Sequence, residues 1–100
     1  MLHTVNKSPF ERNTLDSCLR LVKAGSAVLL FEDAVVGAVA GTAVADQIAA
    51  RMDELSFYVL GPDIAARGLS EMPLIDGLTV IDYGGFVDLV AEHEASQAWL

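Results

Sequence analysis

Residues 27–33 read Ala-Val-Leu-Leu-Phe-Glu-Asp, AVLLFED. Five apolar residues in succession lack the alternation of a strand with one wet face. A run of this kind predicts a strand buried on both sides, with Glu32-Asp33 marking where it surfaces. Strands buried on both sides belong to parallel sheets with helices on either face. That fold requires a helix between each strand and the next.

Working outward from Ala27, the helices stand where they are needed. Upstream, Asn13 is placed to cap a helix from Thr14 to about Ala24, with Asp16 completing a weak capping box and Gly25 just past the end. Further back, Leu2–Val5 is a short apolar strand closed by Asn6-Lys7-Ser8-Pro9. Downstream, a short helical turn is expected over Ala34 to Val39. After the break at Gly41-Thr42, Val44, Ile48 and Met52 recur on one face of a helix. Ser56 to Leu60 (SFYVL) is the third strand. Gly61-Pro62-Asp63 opens a short helix that ends near Gly68. Leu78 to Ile81 (LTVI) is the fourth strand and Asp82 to Gly85 a turn. Phe86, Leu89, Val90 and His93 then carry the i, i+3, i+4, i+7 spacing of a last helix. The tail SQAWL is expected as a short edge segment. The fold class is α/β: a single small domain over residues 1–100, with a mainly parallel sheet of four to five strands flanked by helices.

Composition narrows function. Hydrophobic residues make up 53% of the chain and charged ones 20%, more apolar surface than so small a domain readily hides. A protein partner covering the surplus is expected. The formal net charge is −8, which argues against direct nucleic-acid binding and against an anionic membrane surface. The opening MLHTVNKSPF lacks the pattern of a signal peptide, and the longest apolar block, Ala34 to Ala45, is broken and too short to cross a bilayer. A lone cysteine allows no internal disulfide and fits a reducing, cytoplasmic setting.

Function in an open parallel sheet gathers beyond the carboxyl ends of the strands. Glu32-Asp33, Asp63 and Asp82 lie there, as a metal or phosphoacceptor pocket or, more simply, with Asp33 and Asp63 capping or beginning the helices that follow. The spacing of Cys and His supports no metal site. No phosphate-binding loop or catalytic triad is visible. His3, in the first strand, is expected as a packed imidazole, and His93 as a residue complementing a helix end. Lys7, Arg12 and Arg20 are solvated charges or, alternatively, cations that support a thiolate. Cys18 lies on the stripe Leu15, Cys18, Leu19, Val22, the inward face of an amphipathic helix. Periodicity makes it a small core residue. One turn inside its helix, it also has some help from the helix dipole toward a lowered pKa.

The whole chain resembles the DsrH/TusB family of small sulfur-relay proteins. The resemblance rests on LHTVNKSPFERN, LLFED, LGPDIAARGL, IDYGGFVDL and the closing QAWL. HTVNKSPFERN and Cys18 are most similar to the DsrH branch of sulfur-oxidising bacteria. The resemblance implies a DsrE/F/H-like fold and assembly with DsrE/TusD-type and DsrF/TusC-type subunits into a heterohexamer. It implies a subunit of a sulfurtransferase complex rather than an autonomous enzyme, with no cofactor. In the DsrH branch, persulfide sulfur passes toward a DsrC-type carrier in dissimilatory sulfur oxidation. In the TusB branch, a homologous relay feeds 2-thiolation of the tRNA wobble uridine, through a TusE-type acceptor. The principal persulfide cysteine belongs to the DsrE/TusD-type subunit. Cys18 matches the DsrH cysteine and is the candidate secondary persulfide site; the alternative is a structural subunit with the chemistry on a partner.

Overall fold

The computed structural model describes residues 1–100. Its centre is the AVLLFED stretch: β2 (Ala27–Leu30) has all four residues buried. On one side it pairs with β1 (Leu2–Val5), on the other with β3 (Ser56–Leu60). β4 (Thr79–Ile81) closes the sheet beyond β3, and β5 (Ser96–Trp99) lies beyond β1. The order is β4-β3-β2-β1-β5 and every pairing is parallel. The SQAWL tail is thus a full edge strand.

Three crossovers carry the chain one strand at a time from β1 to β4. The first runs through α1 (Thr14–Leu21). The second uses a 3-10 helix (Glu32–Ala38) and α2 (Ala45–Ala50), the third α3 (Gly61–Ala66). The last crossover, α4 (Tyr83–Glu92), reverses direction and spans the sheet to β5. Because such crossovers are right-handed, the reversal sends α4 to the opposite face. Burial follows this division. Seventeen buried residues form the core on the first face, among them Leu15, Cys18, Ile48 and Ile64 against Val5, Val28, Leu30, Phe57 and Val59. Only four, Leu2, Ala27, Leu29 and Leu89, form the core under α4. Each fully buried Leu or Phe contributes roughly 1.5–3 kcal/mol, so the first face holds most of the stability.

Several boundaries differ from the expected ones. α1 stops at Leu21, short of Ala24. Val22 turns to extended backbone (φ −73, ψ 132) yet stays buried, and Gly25 makes the following turn at φ +91. The expected turn over Ala34 to Val39 is a 3-10 helix that starts two residues earlier. The expected turn at 82–85 is instead the first turn of α4, because the Asp82 side chain accepts the Gly85 N–H at 2.8 Å. Gly85 is needed there, since a Cβ would lie 2.9 Å from the Ile81 Cβ.

Candidate functional site

All five strands being parallel, their carboxyl ends form one rim. Of the acidic residues expected there, Asp33 and Asp63 are tied to Arg67 and Asp63 to the Glu32 backbone, while Asp82 stands apart. Glu32 sits at φ +49, a left-handed conformation that costs a non-glycine residue energy. Its N–H donates to Asp63 Oδ2 at 2.6 Å, which fixes the exit of β2 to the start of α3. Asp33 Oδ1 accepts from Arg67 Nε at 3.1 Å and Nη2 at 2.8 Å. Arg67 also reaches the Asp63 carbonyl at 3.4 Å. Neither Asp33 nor Asp63 caps its own helix by a side-chain hydrogen bond. Asp82 is the one acid at the strand ends that does so. No group of three or more His, Cys, Asp or Glu side chains converges. The part of this arrangement hidden from sequence is Arg67, thirty-four residues from Asp33, which no local spacing connects.

Cys18 is fully buried, on the core side of α1 with Leu15, Leu19 and Val22. The amphipathic stripe thus points into the core as its spacing implies. Burial pushes the thiol pKa up to about 12, against a smaller opposing pull from the Arg51 guanidinium. At neutral pH the thiol therefore keeps its proton and is not in the thiolate form needed to attack a persulfide. The three cations considered from sequence are not the ones that act on it. Arg20 pairs with Asp16 at 3.0 Å on the solvent side of α1. Arg12 turns to the Glu11 carbonyl, and Lys7 is exposed. Arg51 comes from the end of α2. It donates to the Leu19 carbonyl and, at 2.8 Å, to the Val22 carbonyl, and it pairs with Glu54 at 2.6 Å. It therefore serves the open carbonyls at the end of α1.

His3 is buried on the core face of β1, where its Nδ1 accepts from Trp99 Nε1 at 3.0 Å. Its proton accordingly sits on Nε2. Burial, and then the charge of the chain's amino terminus, lower its pKa from the ordinary value. His93 ends α4 at its C-cap, with its backbone N–H on the Val90 carbonyl at 3.3 Å.

The geometry defines a class: a small parallel α/β domain whose only thiol is shut in its core and whose polar strand ends are tied to each other. The ychN protein of E. coli shares this fold, with a TM-score of 0.82 over 97% of either chain at 16% sequence identity. Sequence then narrows the class. Residues 7–96 match the family described as "DsrH like protein", and this chain belongs to that family. Protein TusB of Pectobacterium parmentieri is 39% identical over 99 residues, covering 99% of this chain and 100% of its own. Protein TusB of Escherichia coli (strain K12) is 34% identical with the same coverage. No helix is long and apolar enough to cross a membrane.

Proposed function

We propose that the chain is a TusB-like, non-carrier subunit of a sulfur relay that feeds 2-thiolation of the tRNA wobble uridine. TusD-type and TusC-type co-subunits complete the complex, as a heterohexamer. The transferred sulfur rides on the cysteine of the TusD-type subunit and leaves to a TusE-type acceptor. The observation that carries this reading is the end-to-end likeness to proteins named TusB, at 34–39% identity. It favours tRNA thiolation over the dissimilatory sulfur oxidation expected from the opening motif.

Burial of Cys18 supports a non-carrier role. Transfer would require a thiolate to attack the outer sulfur of a persulfide, and this thiol is both shielded and protonated. The rival reading, Cys18 as a secondary persulfide site, needs α1 to leave the core. Loading the complete complex with a persulfide donor and mapping adducts by mass spectrometry separates the two. The expected result is added sulfur on the co-subunit cysteine and none on Cys18. An adduct on Cys18 that disappears in Cys18→Ala overturns the non-carrier role. Pathway is tested by replacing TusB with this chain in a bacterium that lacks it. Restored wobble 2-thiouridine is expected, and its continued absence with soluble chain present overturns the thiolation branch.

A further inference from the structure

The two faces of the sheet are covered unequally, and the thinner side is also the greasier one outside. α4 alone covers its face. Leu89 points inward and is buried, but Tyr83, Val87 and Val90 are 61%, 67% and 43% exposed. With Phe86 they line a shallow hollow of about 300 Å³ walled by apolar side chains alone. A water-facing helix side ordinarily carries charge, so an i, i+4, i+7 apolar stripe there marks a contact surface.

Charge identifies the kind of occupant. Every Lys and Arg of the chain lies between Lys7 and Arg67. Residues 82–94, which span α4 and its two ends, contain no Lys or Arg and four acidic residues: Asp82, Asp88, Glu92 and Glu94. Asp88 and Glu92 are exposed on α4 itself. A second copy docking through α4 would set two such acidic helices against each other, which electrostatic complementarity disfavours. We propose that the α4 stripe docks a different polypeptide, one whose apolar patch is surrounded by Lys and Arg. This rests on the subunit reading above: the occupant is one of the two co-subunits, met through this face and not through the strand-end rim.

Binding of the purified chain to the co-expressed TusC-type and TusD-type subunits, followed by calorimetry at low and at raised salt, tests this. The expected results are heteromeric binding, and a roughly tenfold or greater loss of affinity in Val87→Asp. The double change Asp88→Lys, Glu92→Lys is expected to weaken binding at low salt, and raised salt to weaken the wild type. Leu21→Asp, at an equally exposed leucine on α1, is expected to bind as wild type. Unchanged affinity in a Val87→Asp protein with wild-type circular dichroism overturns the proposal. So does indifference to both salt and charge reversal, or self-association of the isolated chain that Val87→Asp abolishes. If the wild-type chain binds neither co-subunit, the subunit reading itself falls and takes the proposal with it.

Discussion

Cys18 and Glu32 are two residues at which local chemistry and position pull apart. A thiol one turn into a helix has the dipole on its side, but at full burial desolvation outweighs it and the proton stays. Iodoacetamide is therefore expected to modify the native chain at least about a hundredfold more slowly than the urea-unfolded chain, since reaction waits on opening. Equal rates measured by mass spectrometry would show that the thiol reaches solvent. Cys18→Ala is expected to cost about 1 kcal/mol of stability, and Cys18→Ser about 1–3 kcal/mol, because a buried hydroxyl must be desolvated. Glu32 presents the opposite case. Its φ of +49 is strained for any side chain, while what binds Asp63 is its backbone N–H. Glu32→Gly keeps that bond and relieves the strain, so a gain of about 0.5–1 kcal/mol in urea denaturation is expected. A loss would mean that the side chain itself contributes.

The elements show which parts of the fold are written locally. AVLLF announced a strand buried on both faces, and α1 announced its inward side, because both signals lie in the spacing of neighbouring residues. What ends α1 is not local. The Leu19 and Val22 carbonyls take their donors from Arg51, which follows them by about thirty residues and belongs to another helix. The strand-end cluster was legible as a collection of acids, but Arg67, which decides what those acids do, was not. Asp82 looked like part of a turn because the glycines after it conceal a helix start. Arg51→Met keeps the aliphatic stem and removes the charged donors. It is expected to destabilise the chain by about 1–3 kcal/mol, with amide exchange accelerated first in α1. Glu54→Gln, which loses only the exposed half of the ion pair, is expected to stay within about 0.5 kcal/mol. Equal effects from the two changes would shift the credit from the α1 carbonyls to the ion pair.

At the scale of the whole molecule, the first and last strands are neighbours, so the integrity of one sheet edge depends on both chain ends. β5 has its first three residues exposed, and Trp99 is its only half-buried residue. Parallel pairing to β1 holds it, together with the Trp99 bond to His3 Nδ1, ninety-six residues away. That bond exists only while Nδ1 is unprotonated. Burial and the amino-terminal charge lower the pKa of His3 in the folded chain, whereas the unfolded chain titrates near 6.5. Below that value the unfolded state therefore binds more protons than the native one, and stability rises with pH. The contribution is fully present above about pH 6.5–7 and is lost as pH falls toward the lowered folded value. Thermal melts are expected to be flat between about pH 7 and 8 and to weaken by about 1 kcal/mol or more by pH 5.5. His3→Phe retains an aromatic ring but cannot titrate, so its melts are expected to lose the slope between about pH 5.5 and 7. Trp99→Phe removes only the donor; it is expected to loosen β5 at every pH, seen as faster amide exchange over residues 96–99, while leaving β2 and β3 protected. A His3→Phe protein that keeps the full slope would move the pH sensitivity elsewhere in the chain, and β5 would then be held by strand pairing alone.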